Sequence, residues 1–340
     1  MRIGVLVGGG DAPGLNAALK AVVTKAHEVS FEVMGIKRGW AGLLEADAQT
    51  LDLDAVEEIQ SRGGIILYTS RTNPFQITNG PQTIIENMRK LKIDALVAIG
   101  GEDTLSVAQK LFEMKVPMVG VPKTIDNDLS ETDYSIGFDT SVSIATDAID
   151  RLRTTAEAHY RIIVVEVMGR HSGWIALHSG LAGGANMILI PEVPFNPETI
   201  YELVKNRRAK GKVYSIITVA EGAKTSEDQH VVQSEKVDAF GHVRLGGIGQ
   251  TLERLIEENT GLEARLVVLG HLQRGGPPTA FDRVLAIRLG IKAVELVKEK
   301  RFGQMSSFRG YEIASVPLKE AIKRKDVSLE LYKMAQLFFR

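Results

Sequence analysis

The feature that most constrains this chain is an alternation. Short runs rich in branched aliphatic residues at 3–7, 33–36, 95–99, 118–121, 162–167, 187–190, 215–219 and 266–269 are separated by helical patterns such as 15–29, 81–91, 104–114 and 281–298. In 81–91, for example, Ile84, Ile85, Met88 and Leu91 fall on one face. Strand and helix alternating over the whole length predict an α/β fold with largely parallel sheets. In such sheets ligands sit beyond the carboxyl ends of strands, so the loops there are where chemistry is expected. The 340 residues exceed the roughly 250–300 at which one core stops growing. Two three-layer α/β units are therefore expected, with the active site in the cleft between them. A segment at 137–141 leading into a long helix that ends near His159 is a plausible crossing, and the polar stretch 223–247 reads as a surface insertion.

Most of the paired glycines fall in or near those loops. Gly8-Gly9-Gly10, Gly63-Gly64, Gly100-Gly101, Gly183-Gly184, Gly246-Gly247 and Gly275-Gly276 account for many of the 33 glycines and follow no repeat. They mark places where backbone turns sharply or approaches something closely. The absence of cysteine excludes disulfides, thiolate metal sites and a cysteine nucleophile. The 41 Lys plus Arg balance 42 Asp plus Glu, leaving no positive excess for a nucleic-acid backbone. The first strand reaches glycine by Gly8, too soon for the apolar core of a signal peptide, and no apolar run approaches the roughly 18 residues of a membrane span. A cytoplasmic protein with no nucleic-acid or membrane partner is expected.

Four segments carry candidate chemistry. Gly8-Gly9-Gly10-Asp11-Ala12-Pro13-Gly14 joins a strand to a helix, the arrangement that presents backbone N–H groups to phosphate. It is neither a dinucleotide fingerprint, since Pro13 interrupts G-x-G-x-x-G, nor a Walker loop. Gly100-Gly101-Glu102-Asp103-Thr104 sets two carboxylates at a helix start; they complement the helix dipole or, beside a phosphate, hold Mg²⁺. In Lys123-Thr124-Ile125-Asp126-Asn127-Asp128 the two aspartates point the same way if the segment is extended. The alternative is an acidic turn. Phosphoryl transfer to a hydroxyl needs a carboxylate to take the proton and cations to steady the moving group, and this segment contains both. Finally Arg71, Arg161, Met168-Gly169-Arg170-His171, Arg265 and His271-Leu272-Gln273-Arg274 place Arg and His at strand ends, where bidentate guanidinium contacts suit sugar phosphates. Trp40 and Trp174 read as packing residues.

In this order the segments resemble the 6-phosphofructokinase family, ATP- and pyrophosphate-dependent, from residue 1 to about 310 through GGGDAPGLNAA, GGEDT, PKTIDND, VVEVMGR, AEGA and LGHLQRGG. The resemblance implies that Gly10 contacts the phosphoryl donor and Glu102 belongs to a Mg²⁺ site. Asp126 would take the proton of the sugar 1-hydroxyl, with Thr124 and Asp128 beside it and Arg71 stabilising the phosphoryl group in flight. Met168, Gly169, Arg170, Glu221, His271 and Arg274 would hold fructose 6-phosphate. Arg161 and Arg265 would come from a neighbouring subunit, making the protein a homo-oligomer, dimer or tetramer. The expected division is 1–138 plus about 274–323 for the donor and 139–273 plus about 324–340 for the sugar phosphate.

Two departures from the ATP-using pattern stand out. Those members typically have glycine where Asp103 stands, and bacterial ones commonly have glycine at Lys123. A carboxylate about 4 Å from a nucleotide's α-phosphate repels it by roughly 4 kcal/mol at an effective dielectric near 20, while Lys123 can steady a pyrophosphate leaving group. The pair resembles the pyrophosphate-dependent type; the ATP-dependent enzyme and a non-catalytic regulatory relative are the alternatives, and sedoheptulose 7-phosphate competes as acceptor. The resemblance also implies a basic effector cluster at a subunit interface in allosteric bacterial relatives; the corresponding positions here keep Lys20, Lys210 and Lys212 but have Thr24 and Leu53, so weak or absent effector control is expected.

Overall fold

The computed structural model describes residues 1–226, 232–237, 240, 243–245 and 247–340. A first sheet begins with β1 (Arg2–Val7), followed by α1 (Leu15–Glu28), β2 (Glu32–Ile36), α2 (Trp40–Glu45), β3 (Ala48–Leu51), α3 (Gly80–Lys90), β4 (Ala95–Gly100), α4 (Glu102–Glu113) and β5 (Met118–Pro122). The long α5 (Phe138–His159) leads into a second sheet. Its elements are β6 (Ile162–Val167), α6 (Trp174–Ala182), β7 (Met187–Leu189), α7 (Pro197–Ala209), β8 (Ser215–Ala220), a ribbon of β9 (Val232–Val237) and β10 (Val243–Leu245), α8 (Ile248–Thr260) and β11 (Ala264–Val268). The chain then returns through α9 (Ala280–Lys298) to β12 (Gln304–Arg309), β13 (Glu312–Pro317) and α10 (Leu318–Ala321), and ends in α11 (Leu329–Gln336).

The first sheet has the order β13-β12-β5-β4-β1-β2-β3 and the second β11-β6-β8-β7. The second is parallel throughout; the first is parallel except for β3 and β13 at its edges. The expected α/β architecture is thus present. Central strands such as β1 and β4 are buried on both faces, which is why they read as near-continuous apolar runs; β6 is buried alike but carries Glu166 near its end. Sequence patterning missed β3, β12 and β13 because edge or hairpin strands with polar residues, such as AQTL and QMSSFR, carry little apolar signal. Of the stretch 223–247, the ribbon is described and the remainder, including Gly246, lies largely outside the described residues.

The chain passes between the sheets three times, through α5, through α9 and through the segment that leads from α10 to α11 on the second sheet, and buried Asp282 fastens the first two passages together. From α9 its carboxylate accepts hydrogen bonds from the backbone N–H groups of Gly137 (2.9 Å) and Thr140 (2.8 Å) at the start of α5. No helix among the described residues is long and apolar enough to cross a membrane.

Candidate active site

The carboxyl ends of β1, β4 and β5 in one sheet and of β6 and β8 in the other converge on a cavity of about 440 Å³. From the first sheet's side it is lined by Gly10, Arg71, Glu102, Asp103, Lys123, Thr124, Asp126 and Asp128; from the other by Met168, Arg170 and Glu221, with Arg274 reaching in from the 270–274 turn. Most of the residues singled out from the sequence therefore share one space.

The glycine turn after β1 is shaped by two cations. Lys123, 3% exposed, donates from Nζ to the carbonyls of Gly8 (3.0 Å) and Gly10. Arg274 Nη1 donates to the Asp11 carbonyl (2.9 Å), and a Cβ on Gly10 would stand 2.8 Å from that same nitrogen. Glycine at position 10 thus lets the guanidinium lie against the turn. Burial, reinforced by the charge of Arg274, pulls the Lys123 amine down to about 7. Gly63 packs against the Gly276 backbone with no room for a side chain, so two of the glycine pairs are a single close contact.

The 126–128 segment departs from the extended conformation that would have aligned its aspartates. It is a turn, with Asn127 at φ 51°. The Asn127 side chain accepts from Ser135 N (3.0 Å) and donates to the Asp133 carbonyl (3.0 Å), while Thr124 Oγ1 accepts from Asp126 N (3.1 Å). Asp126 and Asp128 face the same cavity because the turn is braced, not because of a two-residue repeat. Asp126 Oδ1 is buried with no hydrogen-bond partner among the described residues, an orphan that a hydroxyl donor would satisfy. Burial and the Asp126 charge push Asp128 well above the ordinary carboxylate range. Glu221 is pushed up to about 7 by burial, then by Asp126, against the pull of Arg170.

Four predicted residues lie off the cavity wall. Gly169 (φ 138°) contributes backbone, its carbonyl accepting from Gly222 N at 3.1 Å. His271 is exposed on the 270–274 turn. Arg161 and Arg265 stand at the opposite ends of β6 and β11, where Arg161 pairs with Glu263 (2.9 Å) and Arg265 with Glu257 (3.1 Å). Seven residues of extended chain separate Arg161 from Met168, about 23 Å at 3.3 Å each, so neither arginine reaches its own chain's cavity. Sequence reasoning missed Ile322 and Arg324, which also line it; they follow the last recognisable motif and carry no local signal.

Chemically, these groups can hold a polyanion between a backbone turn and several cations while a carboxylate takes a proton from a hydroxyl. That is an arrangement for group transfer on phosphorylated small molecules. The chain belongs to the phosphofructokinase family, whose profile matches residues 2–297. It is 56% identical over the full length of both chains to pyrophosphate–fructose 6-phosphate 1-phosphotransferase of Amycolatopsis methanolica. It is 49% identical, over 95% of each chain, to ATP-dependent 6-phosphofructokinase 3 of Streptomyces coelicolor. Among solved structures, phosphofructokinase of Pichia pastoris in the T-state superimposes with a TM-score of 0.84 at 31% identity, covering 99% of this chain and 36% of that one.

Proposed function

We propose that the protein transfers a phosphoryl group from pyrophosphate to the 1-hydroxyl of fructose 6-phosphate, giving fructose 1,6-bisphosphate and phosphate, in a readily reversible, Mg²⁺-dependent reaction of glycolysis and gluconeogenesis. The observation that carries the donor assignment is the pairing of Asp103 with Lys123 at the glycine-turn side of the cavity. Asp103 adds bulk and negative charge where a nucleotide's α-phosphate would lie, and Lys123 offers a cation to a departing phosphate. The 56% identity to a named pyrophosphate enzyme supports the same reading.

Asp126 accepts the hydroxyl proton at its orphaned Oδ1. The freed oxygen attacks the near phosphorus of pyrophosphate, the bridging P–O bond breaks, and phosphate leaves against Lys123 and the turn at Gly10. Arg71 neutralises charge on the phosphoryl group in transit. Thr124, Asp128, Met168, Gly169, Arg170, Glu221, His271 and Arg274 bind the sugar phosphate. Among the described residues no cluster of three or more acidic or His side chains forms a metal cage. Mg²⁺ usually takes one or two carboxylates plus substrate phosphates. Glu102, on the cavity wall, fits that role, and the metal would neutralise donor charge.

The sugar-phosphate site is completed by Arg161 and Arg265 of a neighbouring copy in a homo-oligomer, a reading supported by their distance from their own cavity. The donor unit comprises 1–138 and about 274–323, the sugar-phosphate unit 139–273 and about 324–340, and the protein is cytoplasmic. The test is turnover with each donor and fructose 6-phosphate as acceptor. Pyrophosphate is expected to support turnover and ATP to be far poorer; equal efficiency with ATP would overturn the assignment.

A further inference from the structure

The turn that carries Asp126 projects from β5 of the first sheet, yet both of its ends are held from elsewhere. At one end, Ser172 Oγ donates to the Asp126 carbonyl at 3.0 Å. Ser172 is 1% exposed and belongs to the loop after β6 that also carries Arg170. At the other end, the backbone N–H of Lys325 donates to the Asp128 carbonyl at 2.7 Å, and Ser130 N donates to the Lys323 carbonyl at 3.0 Å.

The C-terminal segment making the second contact is itself tied to the second sheet. Trp174 Nε1, in the first turn of α6, donates to the Lys325 carbonyl at 3.1 Å. The Lys325 ammonium lies 5.3 Å from the Trp174 ring and donates to the carbonyls of Thr132 (2.8 Å) and Asp133 (3.1 Å). Glu192 then joins Val327 N (3.0 Å) to Gly173 N (3.0 Å), so residues 323–327 bind the loop carrying Ser172 as well. Trp174 is therefore more than a packing residue.

We propose that Ser172, Trp174 and Lys325 are positioning residues that tie the Asp126 carboxylate to the loop carrying Arg170, in addition to the Thr124, Asn127 and Ser135 contacts that hold the turn on the side of its own sheet. The consequence is mechanical. Contacts from the second sheet's loop and from the C-terminal segment limit how far the Asp126 carboxylate can move relative to Arg170, and so hold its distance to the acceptor hydroxyl. Hydrogen bonds to main-chain carbonyls at both ends of a three-residue turn leave its central peptides little freedom, and displacement of a reacting group by about 1 Å can cost on the order of 100-fold in rate.

The inference rests on Asp126 being the proton acceptor, and a double-mutant cycle separates the two claims. Ser172→Ala and Trp174→Phe each remove one donor, the first with almost no change of shape. Each is expected to lower kcat by roughly ten-fold, the worth of one hydrogen bond, with KM for pyrophosphate within two-fold of the parent. In an Asp126→Asn background the same changes should cost less than two-fold, because residues that act through one group are not additive. Full ten-fold losses in both backgrounds, or parent kcat in both single variants, overturn the proposal. Parent-like turnover by Asp126→Asn alone overturns the assignment of the base instead. The donor comparison stands apart from both, since this positioning concerns the acceptor side only.

Discussion

Lys123 links donor binding to pH in a calculable way. Its amine is buried and sits at about 7. At pH 7 it is roughly half protonated, and at pH 8 about one-tenth. Deprotonation keeps both of its carbonyl hydrogen bonds, to Gly8 and Gly10, because a neutral amine retains two N–H groups; the third proton is what a bound anion would engage. One phosphate charge about 5 Å away contributes roughly 3 kcal/mol at an effective dielectric near 20, about 2.4 pKa units. Bound pyrophosphate therefore moves the amine to about 9 or above. The sign follows directly. The complex holds a proton that the free protein has lost, so affinity is greatest below 7 and falls by up to about ten-fold per pH unit between roughly 7 and 9. Titration of pyrophosphate by calorimetry at fixed free Mg²⁺ in two buffers of different ionisation enthalpy should show uptake of about half a proton at pH 7. Lys123→Arg, which stays charged throughout, removes that component, while contributions from Glu221, Asp128 and pyrophosphate itself remain in both proteins. Identical proton uptake and identical affinity slopes in the two proteins would refute the reasoning.

Three further outcomes are expected. Asp103→Gly should improve ATP use by about ten-fold or more; the residue is partly exposed, so screening reduces the repulsion to about 1–2 kcal/mol, and unchanged kcat/KM for ATP would contradict it. Arg161→Ala and Asp126→Asn should each be nearly inactive alone, yet regain activity when mixed under conditions that exchange subunits, because hybrid oligomers contain sites carrying neither defect; no recovery in confirmed hybrids argues against shared sites. Asp282→Ala strips a buried acceptor from the start of α5 and should lower unfolding free energy by about 2–4 kcal/mol, read by urea denaturation, with a change under 1 kcal/mol speaking against its fastening role.

Much of the donor side was legible in the sequence because its parts are local. An apolar strand, a glycine turn and a helix start are consecutive in the chain, and Glu102, Asp103 and Lys123 sit directly after strands, so periodicity alone puts them at strand ends. The acceptor side depends on contacts distant in sequence. Asp126 and Asp128 share a cavity through a braced turn held by Ser172, Ser135 and Lys325, and no two-residue repeat reports that. Arg324 stands on the cavity wall with no motif to announce it.

The sequence by itself determined the alternation of strand and helix, the absence of thiol chemistry, and the presence of Asp103 and Lys123 just beyond β4 and β5, since each is a matter of residue type and spacing. The tertiary structure alone decided that burial brings the Lys123 amine down to about 7, that Arg161 and Arg265 stand away from their own cavity, and that a C-terminal segment ties the Asp126 turn to the other sheet. Those properties arise from desolvation and from contacts between residues more than a hundred positions apart, such as Lys325 with Asp128 and Trp174. Neither burial nor long-range pairing is written in any local stretch of the chain.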